Sequence, residues 1–217
     1  MLLLGHRGCR GFAPENTVAA FDHALAAGCH GFEFDVRLTA DGRNVICHDP
    51  KLYRLRVADA TYGRLCSAAA ASAAIPCLED VLKDYCERAY LYIELKVAGM
   101  ETAVLDLVLR YPPRRGFVVA SFLPEVVATV HALEPEAPVG LVFDSWLKRD
   151  RWRGLPVTHV MPHYTLLSAE RMAEYRAAGK KVLTWTVNSG EEMRRAAALG
   201  VDGVISDDPA LLCRTLS

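Results

Sequence analysis

Gly31-Phe-Glu-Phe-Asp-Val-Arg37 is the stretch whose alternation decides the fold. An extended chain turns successive side chains to opposite faces, so Phe32, Phe34 and Val36 share one face while Glu33, Asp35 and Arg37 share the other. The apolar face must meet a hydrophobic layer. That sends two carboxylates to the enclosed side, where an unpaired ionised acid is costly and requires a cationic companion.

Working outward from this strand, short aliphatic runs alternate with longer stretches of helical period, and Gly, Pro or Asp sits at most joints. Strands are expected at 2–5, 31–38, 91–96, 117–121, 139–143, 158–161, 181–187 and 201–206. Helices are expected at 17–27, 78–86, 101–109, 124–133, 169–178 and 191–199, where apolar residues recur at three and four spacing. Eight strands in βα repetition predict one (β/α)8 TIM barrel, and residues 1–217 read as a single domain. The fifth crossover, 146–155, has weak periodicity and reads as a short helix or an irregular turn. Residues 50–76 break the pattern with an arginine-rich stretch and an Ala/Ser-rich run at 67–74. They read as an excursion over the barrel mouth, or in their second half as an alanine-rich surface helix.

Leu91-Tyr-Ile-Glu-Leu-Lys96 repeats the opening design, with Leu91, Ile93 and Leu95 toward the helices and Glu94 and Lys96 inward. Adjacent strands lie about 4.8 Å apart, so Glu33, Asp35 and Glu94 can present oxygens to one ion. Carboxylate oxygens select a hard divalent cation, Mg²⁺ or Ca²⁺, with Mn²⁺ a further candidate. The alternative is an internal salt-bridge network in which Arg37 and Lys96 neutralise the acids without metal.

His6-Arg7-Gly8 follows the first strand and His48-Asp49 follows the extended run 44–47, which places both histidines on the carboxyl-end face. An unperturbed histidine side chain titrates near neutral pH, so two imidazoles beside an acidic cluster suit an acid and a base, and phosphodiester cleavage needs one proton removed and one donated. Arg7 and Lys96 supply a bidentate clamp and a point charge for an anion such as phosphate.

Composition is consistent with this. The chain is 52% hydrophobic with formal net charge −1, which lacks the basic excess of a nucleic-acid binder. Seven cysteines without a CxxC pair read as free thiols. The residues before Gly5 are too few for a signal peptide and no long apolar run occurs, so the expected setting is the cytoplasm, with no stable membrane anchor.

In order, His6-Arg7-Gly8, Pro14-Glu-Asn-Thr17, Glu33-x-Asp35, Thr39-x-Asp41-Gly42, His48-Asp49, Glu94-x-Lys96, Ser121-Phe122, Trp185-Thr-Val-Asn188 and the terminal block ending Ser206-Asp207 resemble the glycerophosphodiester phosphodiesterase family nearly end to end. The resemblance implies that His6 and His48 are the catalytic pair, that Glu33, Asp35 and Glu94 hold the metal, and that Arg7 and Lys96 contact phosphate. Trp185 resembles the family's tryptophan at the barrel mouth, where it would pack on glycerol; a core-layer tryptophan is the alternative. Pro14-Glu-Asn-Thr17 reads as a helix start with Asn16 as a candidate cap. The implied substrate is a small glycerophosphodiester, cleaved to sn-glycerol 3-phosphate and an alcohol through a cyclic phosphate. Residues 51–76 depart from the family as a shortened, alanine-rich excursion, which leaves head-group choice open. The rival readings are lysophospholipase D chemistry, a non-catalytic phosphate-binding barrel, and a metal-dependent aldolase or isomerase.

Overall fold

The computed structural model describes residues 1–69 and 74–217. Its strands are β1 Leu2–Gly5, β2 Gly31–Leu38, β3 Asn44–Ile46, β4 Lys51–Leu52, β5 Leu55–Arg56, β6 Tyr90–Leu95, β7 Phe117–Ser121, β8 Val139–Phe143, β9 His159–Pro162, β10 Lys181–Thr184 and β11 Gly203–Ser206. Its helices are α1 Val18–Ala26, α2 Tyr62–Ala69, α3 Leu78–Tyr85, α4 Glu101–Arg110, α5 Pro124–Leu133, α6 Ala169–Ala177, α7 Gly190–Leu199 and α8 Pro209–Leu216. β1, β2 and β6 to β11 pair in parallel around a ring in which β11 and β2 both flank β1. This is the closed eight-stranded TIM barrel that the βα repetition predicts.

Closure divides the hydrophobic side chains into two layers. Outside the wall, Phe32, Phe34 and Val36 of β2 and Leu91, Ile93 and Leu95 of β6 pack beneath the helices. Phe32 is fully buried, stacked 4.2 Å from the ring centroid of Phe21 and edge-on at 4.9 Å to Tyr85. Inside the wall, Leu4, Tyr92, Val118, Val142, Met161, Leu183 and Ile205 plug the barrel. The plug reaches close to position 140: a Cβ on Gly140 would sit 2.5 Å from the Met161 methyl, so a side chain there requires Met161 to shift.

The limits of two strands needed revision. β10 stops at Thr184 and β11 starts only at Gly203, although single hydrogen bonds still tie the residues beyond to neighbouring strands: Tyr164 N donates to Trp185 O at 3.0 Å, Val187 N to Ile205 O at 2.9 Å and Asp202 N to Val182 O at 2.8 Å. The 146–155 crossover is turns followed by a 3-10 turn at Arg151–Gly154. The 50–76 excursion is a small β4–β5 hairpin, a 3-10 turn at Val57–Asp59 and then α2, which starts ahead of the alanine-rich run. Residues 70–73 of that run lie outside the described residues.

His159 gives the barrel a measurable acid limb. It is 5% exposed, and burial, helped by Lys181 and opposed by Asp202, drives its pKa down to about 4. Protonation therefore favours the unfolded chain. Stability is complete above the ordinary histidine value, falls as pH drops from about 6.5 to about 4, and levels off below, a loss of order 3 kcal/mol. Thermal midpoints across that window are expected to decline in the wild type and to flatten in His159→Gln; parallel slopes would remove the histidine from the account.

Candidate active site

The site is assembled at the carboxyl ends of β1, β2, β3 and β6. The His6 amide extends the β1 ladder by donating to Ser206 O at 2.8 Å, and the chain then turns sharply through Arg7 (φ 49°) and Gly8 (φ 84°). Gly8 is required there, since its Cβ would lie 2.6 Å from the Ala20 carbonyl carbon. On β2 and β6, Asp35 stands in register with Glu94, and Glu33 lies one inward position below, opposite Tyr92. The three carboxylates are buried, with ligand oxygens within 4.8 Å of one another.

His48 reaches the same place by a hairpin. Asp41 accepts from Thr39 Oγ1 at 2.7 Å and Gly42 takes φ 76°, so β3 returns antiparallel to β2 with Val36 opposite Ile46. The Cys47 amide then donates to Asp35 O at 3.0 Å, which sets His48 above the acids. Arg37, expected among the acids, instead donates from Nε to the His48 carbonyl at 2.8 Å. Its reach carries it past the cluster to the hairpin.

One cavity of about 130 Å³ collects the residues expected to act in catalysis, metal binding and substrate contact, His6, Arg7, Glu33, Asp35, His48, Glu94, Lys96 and Trp185, with Tyr92, Phe122 and Ile205. Trp185 belongs to its wall rather than to a closed core layer, edge-on to Phe122 at 5.5 Å and tied by Nε1 to Met161 O at 2.9 Å. On the other side of His48 lies a second cavity of about 260 Å³, to which the excursion contributes Leu52, Tyr53 and Ile75.

The charges do not balance without help. Burial, then Asp35 and Glu94, push the Glu33 carboxyl well above its usual range, and burial and Asp35 push Glu94 up to about 7 despite Lys96. Burial also acts to raise Asp35, but Lys96, Arg7 and Asn16 outweigh it and hold it low. Lys96 Nζ lies 2.5 Å from Glu94 and 3.3 Å from Asp35. Arg7 Nη1 is engaged by Glu15 at 2.8 Å, while its buried Nε, 3.3 Å from Asp35, is not aligned for a hydrogen bond. Three buried carboxylates with too little compensating charge and only hard oxygen donors fit a divalent cation.

The model of the glycerophosphoryl diester phosphodiesterase family matches residues 6–211. The chain belongs to this family. A glycerophosphodiester phosphodiesterase from Bacillus altitudinis is 32% identical over 95% of this chain and 94% of its own. The solved glycerophosphodiester phosphodiesterase of Thermotoga maritima superimposes with TM-score 0.85 at 26% identity, covering 99% of this chain and 97% of that one. An Oleispira antarctica phosphodiesterase in complex with the product sn-glycerol-3-phosphate superimposes with TM-score 0.87 at 26% identity, covering 100% and 96%.

The chain is thus a phosphodiester hydrolase of the glycerophosphodiester phosphodiesterase class. Around its site the structure adds groups that the sequence reading left without a chemical role. Asn16, expected as a helix cap, is 4% exposed with φ 59° and clamps Asp35 from both ends, its Nδ2 donating to Oδ2 at 2.9 Å and its Oδ1 accepting from the Asp35 amide at 3.2 Å. Thr17 is the cap. Glu15, expected only as part of that helix start, holds Arg7 and Arg10. The only advance signal for either was membership of the ordered Pro14-Glu-Asn-Thr17 block.

Both histidines are pinned alike. His6 Nδ1 lies 2.6 Å from Asp207 Oδ1 and His48 Nδ1 lies 2.8 Å from Asp49 Oδ1. An ionised carboxylate only accepts, so each Nδ1 carries hydrogen and each Nε2 is left for the cavity. Burial acts to raise Asp207, but the His6 hydrogen bond and charge, with Asn188 Nδ2 donating at 2.7 Å, hold it below the usual range. Asp207→Asn is expected to lower kcat about 10²-fold, with KM and metal affinity little changed, because the amide no longer imposes one tautomer. A loss confined to KM would contradict a positioning role.

Proposed function

We propose that this chain hydrolyses glycerophosphodiesters to sn-glycerol 3-phosphate and an alcohol, with one divalent cation, Mg²⁺ or Ca²⁺, held by Glu33, Asp35 and Glu94. The observation that carries the reading is the single cavity in which two histidines, each with Nδ1 occupied by a carboxylate, face three buried acids. The product named in the Oleispira antarctica complex supports the choice of substrate.

When bound, the cation supplies Lewis-acid polarisation of a phosphoryl oxygen and a lowered pKa for the glycerol hydroxyl. One histidine Nε2 takes the proton of that hydroxyl as its oxygen attacks phosphorus, and the other gives a proton to the departing alcohol oxygen. The cyclic phosphate so formed is opened by water with the two roles exchanged. Arg7 and Lys96 stabilise charge on the phosphoryl oxygens. Trp185 and Phe122 form the wall against which the glycerol carbons pack.

Turnover of glycerophosphocholine, glycerophosphoethanolamine and lysophosphatidylcholine, each with Mg²⁺, Ca²⁺ or Mn²⁺ and with chelator, tests the proposal. Metal-dependent release of sn-glycerol 3-phosphate, abolished by chelator and restored by metal, is expected. No release with any metal would overturn it, and faster turnover of lysophosphatidylcholine would move the assignment to lysophospholipase D chemistry.

A further inference from the structure

Among the described residues, the exposed aromatic side chains are Phe12, Tyr53 and Trp146, at 64%, 41% and 55% exposure. All three lie in segments on the catalytic side: Phe12 between β1 and α1, Tyr53 at the β4–β5 turn after His48, and Trp146 after β8. Leu147, beside Trp146, is 95% exposed. Single exposed apolar residues are ordinary, but aromatic rings confined to the side that opens onto the active site are a patterned surface.

The segment carrying Trp146 is also basic. Residues 144–154 hold Lys148, Arg149, Arg151 and Arg153 against Asp144 and Asp150, in a chain whose formal net charge is −1. The Arg149 guanidinium lies over the Trp146 ring, 4.8 Å from its centroid. Lys148 Nζ lies 6.0 Å from the centroid of Phe122, a cavity-wall residue, so the segment borders the opening.

We propose that the barrel mouth docks reversibly on an anionic phospholipid surface, with Trp146 and Leu147 entering the interface and the flanking cations meeting lipid phosphates. An indole beside an exposed aliphatic chain matches the half-apolar depth of the headgroup boundary, and long basic side chains keep their charges at the phosphate level. Charge complementarity selects anionic lipid as the occupant. No helix among the described residues is long and apolar enough to cross a membrane, so the contact is peripheral. Docking by this segment brings the cavity's opening to the surface.

Co-sedimentation of purified protein with vesicles tests this without reading turnover, so its failure is distinct from failure of the catalytic proposal. The wild type is expected to pellet with mixed phosphatidylcholine and phosphatidylglycerol vesicles at about 50 mM salt, and to be released at about 500 mM, where screening shortens to a few ångströms. Phosphatidylcholine vesicles alone should retain little. Trp146→Ala combined with Leu147→Ala is expected to cut the bound fraction about tenfold, with an unchanged thermal midpoint and unchanged hydrolysis of soluble glycerophosphocholine. Equal binding by the double variant, equal binding to neutral vesicles, or no binding by the wild type would overturn the proposal. So would a wild-type dimer that the double variant dissolves, since the patch would then be a contact between copies.

Discussion

His6→Ala and His48→Ala are each expected to lower kcat by about 10³-fold, within the range that positioned acid and base groups contribute. The argument rests on placement. His6 is 8% exposed and held between Asp207 at 2.6 Å and Glu33 at 3.9 Å, while His48 is half-buried on its hairpin with its backbone carbonyl tied to Arg37. Burial, only partly offset by Asp35 and Asp49, lowers the His48 pKa and keeps its imidazole neutral at neutral pH. Neither ring belongs to the three-carboxylate cluster proposed to hold the cation, so Mn²⁺ affinity measured by calorimetry should stay close to wild type in both variants. Full activity in either would sink the proton-transfer pair, and loss of metal binding would move that histidine into the ligand set.

Phe32→Ala is the largest expected change in stability, about 4 kcal/mol, which for a chain of this size lowers the thermal midpoint by about 12 °C. The ring is fully enclosed between Phe21 and Tyr85, and α1 and α3 both pack on it, so removing it leaves a cavity that two helices and a barrel strand would have to close together. Because Phe32 points away from the barrel interior, the variant should keep wild-type kcat at low temperature while urea unfolding reports the loss. A cost below about 1 kcal/mol would mean that the helical layer relaxes freely, contrary to the close packing of protein interiors.

The same strand separates what can be read locally from what cannot. Phe32 outward and Glu33 inward follow from a backbone period of two, and the same holds for Ile93 and Glu94, so the acidic cluster was legible before any tertiary contact was known. His6 and His48 were legible as residues just past strand ends, and the hairpin through Asp41-Gly42 is what brings the second one back. Strand limits were less secure: β10 and β11 are shorter than their apolar runs, and the residues beyond them are tied to neighbours by single hydrogen bonds, such as Tyr164 N to Trp185 O and Asp202 N to Val182 O, that local periodicity does not distinguish from a regular ladder.

Partner choice was not legible at all. Arg37 shares a face with the acids yet bonds the His48 carbonyl, and Asn16 has the chemistry of a cap yet clamps Asp35. Asp207 meets His6 across 201 residues of sequence, a contact that exists only because β11 closes the barrel against β1. The sequence by itself determined the barrel and which side chains point into it, since strand periodicity is a local property of the backbone. Only the tertiary structure decided which of those side chains pair, and that Trp185 lines the cavity, because these depend on closing the ring and on the short distances that closure creates.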